Sequence, residues 1–140
     1  MSDHDHEYEV TVGAGSLRSS SPTTTALPHR WTPEGVTVET QFTGAHLWHL
    51  AVAGCVLNDV YRESAAFGVH LDGVRVRAWG SFDTATWSST GIRYAVEVDS
   101  PSSSDDVARL VDAVDRVAEI PRAVRAGAPV QRSDAALGDR

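Results

Sequence analysis

Residues 44–68, GAHLWHLAVAGCVLNDVYRESAAFG, form the longest apolar run of the chain. Leu47, Leu50, Ala51, Gly54, Leu57, Tyr61 and Ala65 recur there at steps of three and four, which stacks them on one face of an α-helix. Trp48, Ala53 and Val56 lie off that stripe and are apolar too, so the first half of the helix is expected to be covered on most sides. Polarity returns at Asn58, Asp59, Arg62 and Glu63. Thr43 has a hydroxyl to cap the start, and Gly68 accepts a left-handed conformation at the end. The helix should run about 33 Å, at ~1.5 Å per residue, with Cys55 in its buried middle.

Around this helix the pattern alternates with period two. Residues 7–12 place Tyr8, Val10 and Val12 on one side, and residues 35–42 do the same with Val36 and Val38, so an N-terminal sheet of two or three strands is expected. A loose Gly/Ser/Thr/Pro-rich stretch, 13–25, follows the first of them. Residues 71–82 oppose Val74, Val76, Ala78 and Gly80 to Arg75, Arg77 and Trp79. Residues 91–99 oppose Ile92, Tyr94, Val96 and Val98 to Arg93, Ala95, Glu97 and Asp99. Joined by the polar loop 83–90, these two strands predict a hairpin whose outer face sets Arg75 and Arg77 beside Glu97 and Asp99. A Pro/Ser linker at 100–104 ends in a helix-start signal, and Val107, Leu110, Val111, Val114, Val117 and Ala118 make the apolar stripe of a second helix. Pro121 should interrupt it, with a short helical resumption over 122–126 and a last edge strand over 128–131. The order of elements is α+β, read as one domain over 7–132 between flexible tails at 1–6 and 133–140.

Composition narrows the functional classes. Twelve basic residues, all arginine, against 19 acidic ones give a formal net charge of −7, a field that repels phosphate backbones and argues against nucleic-acid binding. The single cysteine cannot form an internal disulfide, and no stretch has the layout of a signal peptide, so a cytoplasmic location is expected. The apolar run 47–57 contains His49 and is too short to span a bilayer. There is no Gly-rich phosphate loop, no CxxC pair and no GxSxG elbow, so no cofactor is expected. Asp3, His4, Asp5 and His6 read as a solvated tail. His46 and His49 are neighbours at i and i+3, but Cys55 lies six residues beyond His49 and offset around the axis, which does not converge on one tetrahedral ion. Partly buried, hydrogen-bonded histidines are expected rather than metal ligands.

Cys55 is the residue with chemistry to offer. In an apolar helix a free cysteine packs as a small hydrophobe, while a reactive one needs a cation or donor to stabilise its thiolate. The phrase HLAVAGC opening a long helix, then a Gly exit and a strand of the form LDGVRVRAWGSFD, resembles the OsmC / organic hydroperoxide resistance superfamily over about residues 42–130. The resemblance implies an OsmC-like fold built as an intertwined homodimer, with the central helices packed together and active sites at the subunit interface. It also implies that Cys55 is the peroxide-attacking thiol. The family's second, resolving cysteine stands in a Cys-Pro pair that matches Ile120-Pro121 here, and the family's helix carboxylate falls at Ala45, beside His46. The family's arginine comes from the turn after the first strand, where Arg18 is nearest and Arg30 a rival; His46 or His49 could stand in for the missing carboxylate. Two functions follow from the resemblance. One is a one-cysteine reductase of organic hydroperoxides drawing on an external thiol; the other is a catalytically lapsed dimer that binds a small apolar ligand.

Overall fold

A computed structural model describes residues 7–133. The elements are β1 (Val10–Gly15), β2 (Thr25–Leu27), β3 (Val36–Glu39), α1 (Gly44–Glu63), a single 3-10 turn (Ser64–Phe67), β4 (Gly73–Phe82), β5 (Ser89–Asp99), α2 (Ser104–Val117) and α3 (Glu119–Ala126). The strands form one antiparallel sheet in the order β2-β3-β1-β4-β5. Alternation sends Val10, Val12, Ala14, Val38, Val74, Val76 and Ala78 to the inner face, where they meet Ala53, Val56, Leu57 and Val60 of α1 and Leu110 and Val114 of α2. Fully burying one such valine or leucine is worth about 1.5–3 kcal/mol, so this layer is what holds α1 across the sheet.

α1 starts where the Thr43 hydroxyl accepts the His46 N–H at 3.0 Å. The 3-10 turn then closes on Gly68, whose φ of 65° is the left-handed value expected there. The stripe facing the sheet is not the one that the Leu47–Leu50–Gly54 spacing picks out. His46, His49, Ala53, Val56 and Val60 are buried, whereas Leu47, Leu50 and Gly54 are half-buried and Ala51 is exposed. Both stripes are apolar, and the small and β-branched one lets the helix backbone approach the sheet.

Several expected boundaries move. β1 runs from Val10 to Gly15, later than 7–12, because Ala14 still faces the core and Gly15, at φ 60°, makes the turn. Glu7 and Tyr8 lead into it outside the ladder, with the Tyr8 N–H donating to the Gly80 carbonyl at 3.3 Å. β2 lies at the end of the stretch read as loop, and its three residues are all exposed. In the hairpin Arg75 faces Glu97 at 3.1 Å as expected. Arg77 instead faces Ala95 and reaches Glu9 at 3.3 Å, and Asp99 faces Gly73 and accepts from the Ser16 hydroxyl at 2.6 Å. The helix break precedes Pro121: Ala118, at ψ 122°, ends α2, and Pro121 sits in the first turn of α3 where no amide is needed. Gly127 closes α3 at φ 67°, and residues 128–131 form no strand. Pro129 cannot donate to a ladder.

The tails at 1–6 and 134–140, and with them Asp3, His4, Asp5 and His6, lie outside the described residues. Among the described residues no helix is long and apolar enough to cross a membrane.

Candidate functional site

Cys55 sits halfway along α1 at the junction with α3, 9% exposed. The break at Ala118 brings the start of α3 beside it, so that the backbone amides of Ile120 and Glu119 bear on the sulfur and favour its charged form. Burial is the largest influence on the thiol and pushes its pKa up; the Ile120 amide pulls down, Asp59 and Glu119 push up again, and the Glu119 amide pulls down least. The outcome is a pKa above the ordinary cysteine value, hence a protonated thiol at neutral pH. Asp59, one turn further on, is 2% exposed. Burial lifts its carboxyl too, against the opposing charge of Arg62. Arg62 comes within 3.0 Å of Asp59 Oδ2, but without the alignment of a hydrogen bond.

The two histidines belong to another part of α1. Thr43 Oγ1 and His46 Nδ1 are 2.6 Å apart. His49 Nδ1 lies 2.7 Å from the Ala45 carbonyl and must donate to it, which leaves Nε2 as a buried lone pair without a partner. Burial lowers the His49 pKa, with the Ala45 bond raising it and His46 lowering it by lesser amounts. The rings of Tyr8 and Trp48 pack against His49. Six residues at ~1.5 Å put His49 about 9 Å along the axis from Cys55. The histidines and the cysteine therefore do not share a site.

Arg18 donates to the Glu34 carbonyl at 3.2 Å. It borders a groove with Thr11, Thr37, Arg75 and Arg77 on the outer face of the sheet, while α1 and Cys55 lie on the inner face. Within one chain the sheet thus stands between Arg18 and Cys55. Arg30 lies over the Trp31 ring at 5.6 Å and lines a different cleft, of about 280 Å³, against Leu50 and Gly54. No cluster of three metal-binding side chains occurs among the described residues.

A larger groove, about 410 Å³, opens between α1, β5 and α3, walled by Trp48, Val52, Ile92, Tyr94, Pro121 and Val124 with Arg125 at its rim. Trp48 precedes Cys55 by seven residues, close to two full turns, so both point to the same side of α1. The Tyr94 hydroxyl donates to Asp115, which also holds Arg125 at 3.0 Å. Burial and that carboxylate push the Tyr94 phenol upward. Asp59 and Glu119 are the neighbours of Cys55 that the motif comparison overlooks. The i+4 spacing of Asp59 and the place of Glu119 beside Ile120 are the signals that find them.

Comparison with known proteins brings out the same organisation. No curated protein matches the chain. Among solved structures, the OsmC-like protein from Mycoplasma pneumoniae is 13% identical, with a TM-score of 0.56 over 78% of this chain and 90% of that one. An OsmC-like hydroperoxide resistance protein from Jannaschia sp. CCS1 is also 13% identical, with a TM-score of 0.49 over 95% of this chain and 97% of that one. The family model for OsmC-like proteins matches residues 35–133, from the start of β3 past the end of α3. The chain belongs to the OsmC-like protein family.

Proposed function

We propose that this OsmC-like chain binds small apolar molecules in the groove between α1, β5 and α3, and that Cys55 beside it is kept as a packed, protonated thiol. The observation that carries this reading is the charge around the sulfur. The two ionisable groups that bear on Cys55, Asp59 and Glu119, are both acidic, and burial acts in the same direction. A peroxide-attacking cysteine needs the reverse, a cation or a net excess of donors that favours thiolate. The groove offers the size and the apolar walls of a small-molecule site, with one charged residue at the rim to orient an occupant. A second copy of the chain packed on the half-buried Leu50 and Gly54 face would complete the homodimer that the family resemblance implies. The single cysteine suits a reducing compartment such as the cytoplasm.

Reduction of organic hydroperoxides is the second reading, favoured by the two α3 amides directed at the Cys55 sulfur. In it the thiolate attacks the outer peroxide oxygen, the O–O bond breaks, the alcohol leaves with a proton, and Cys55 becomes a sulfenic acid. With no other cysteine in the chain, an external thiol must reduce that acid. The cation this chemistry requires would have to come from a partner subunit.

One experiment separates the readings. Native protein is treated with cumene hydroperoxide and then dimedone, and its mass is measured. Binding of an apolar fluorophore without a dimedone adduct, under conditions that label a free cysteine, is the expected result. An adduct on Cys55, with peroxide turnover once a small thiol is added, overturns the binding-only reading in favour of the enzyme. Sedimentation should show a dimer; a folded monomer at micromolar concentration removes the homodimer.

A further inference from the structure

The start of α1 is closed by a two-residue strap. Glu7 and Tyr8 run ahead of β1, held by the Tyr8 N–H on the Gly80 carbonyl at 3.3 Å and by the Ser81 hydroxyl on a Glu7 carboxylate oxygen at 2.8 Å. The Tyr8 ring meets His46 edge-on at 5.2 Å between centroids, lies nearly parallel to His49 at 6.0 Å and meets Phe82 edge-on at 5.8 Å. His49 is sealed beneath it, with 0% of its surface exposed. Its Nδ1 proton is committed to Ala45. Its Nε2 stands so close to the β4 backbone that a Cβ added at Gly80 would come within 2.7 Å of it.

We propose that His49 is an acid-sensitive latch: a proton taken up at Nε2 drives the Tyr8 strap off the start of α1 and loosens the Trp48 wall of the groove. The second N–H created by that proton has no acceptor within hydrogen-bond reach, and a buried charged donor without a partner is far costlier than a buried lone pair. The neighbours offer little relief. On α1, His46 repels the new charge when it is itself protonated. β4 presents Gly80, Ser81 and Phe82, and β5 presents Gly91 behind Gly80, none of them ionisable. Glu7 is the carboxylate on the strap, already engaged by Ser81. The Tyr8 face can attract a cation, but it belongs to the segment that yields. α1 and β4 are fixed by the valine core, whereas the strap is tied by one backbone and one side-chain bond, so the strain is released there. Trp48 touches the His49 ring edge-on at 5.6 Å and walls the groove, so the protonation state reaches the binding surface. Because burial already holds the His49 pKa down, the latch opens below the ordinary imidazole value of about 6.5.

NMR on the full chain between about pH 7.5 and about pH 5 tests this. The measurements are the His49 Nε2 shift, exchange of the Tyr8 amide and the Trp48 indole signal. The three should move with one midpoint, and the protection of the Tyr8 amide, corrected for the base-catalysed intrinsic rate, should fall at least about tenfold, as expected when its bond opens locally. H49Q should abolish the transition and H46Q should keep it. In Tyr8→Ala the His49 midpoint should move back towards the ordinary value. A Tyr8 amide that stays protected while His49 titrates, an unchanged transition in H49Q, or an unchanged His49 midpoint in Tyr8→Ala each overturns the proposal. The wild-type and Tyr8→Ala titrations decide it should H49Q fail to fold.

Discussion

His49 and Cys55 stand on the same helix, both buried and both held in the neutral form by loss of water. The same cause moves them in opposite directions, the imidazole down and the thiol up. What differs is the company. Cys55 receives two amides from α3, a helix seated on the core through Ile120, so its surroundings already contain donors suited to a charge. His49 has rings and a glycine, and an N–H created at its Nε2 would find no acceptor within hydrogen-bond reach. Burial sets the sign of each shift. The neighbours decide whether the charged form, once made, can be accommodated or must be expelled.

The comparison can be broken or sharpened by a graded set of measurements. Leu57 is 1% exposed and belongs to the core that α1 shares with the sheet. Leu57→Ala should cost about 2–5 kcal/mol by urea unfolding. Both regions should still melt in one transition; separate transitions would mean that they do not share a core.

Acid should act on the His49 side. A histidine whose folded pKa is depressed is neutral in the fold, while the unfolded chain takes up a proton below about 6.5. Stability is therefore full above that pH and falls below it, by up to ~1.4 kcal/mol per pH unit until the folded pKa is passed. Urea midpoints at decreasing pH should show this slope in the wild type and a shallower one in H49Q, where His29, also lowered by burial, keeps a slope of the same sign. The carboxyl of Asp59 is shifted upward, so it contributes in the opposite sense, towards stability as pH falls.

Alkali should act on Cys55. Asp59→Asn removes one of the two negative charges that raise the thiol, so the alkylation rate at neutral pH should rise severalfold and its pH midpoint should fall. An unchanged rate would mean that burial alone controls the sulfur. Arg75→Gln, at the exposed pair with Glu97, should cost less than about 1 kcal/mol and leave both regions as they were.

Much of this architecture is legible in the residues. The helix from Thr43 to Gly68, the Val74–Val76–Ala78 face, the Arg75–Glu97 pair and the family itself all follow from spacing and motif. The facing of α1 did not follow, because a helix apolar on two sides carries no periodicity that says which side meets the sheet. The late start of β1 was hidden because Tyr8 alternates with Val10 and Val12 although it packs on histidine rings instead of pairing in the ladder. Around Cys55 the motif marks the residue but not its electrostatics. Asp59 stands one turn along the same helix, whereas Glu119 reaches the sulfur only through the kink at Ala118, a tertiary arrangement that local periodicity does not show.

The place of β1 has a consequence for anyone who shortens this chain. The family match begins at residue 35, yet the strand formed by Val10–Gly15 sits third of five, paired with β3 on one side and β4 on the other. A fragment cut to the matched segment would retain α1, the hairpin and the thiol but lack the keystone of the sheet. Two ladders of unpaired backbone groups would then face each other across a gap, each a template for pairing with foreign strands. Such a fragment should be recovered as aggregate. The same fragment should stay soluble when the first strand is supplied in trans as a synthetic peptide.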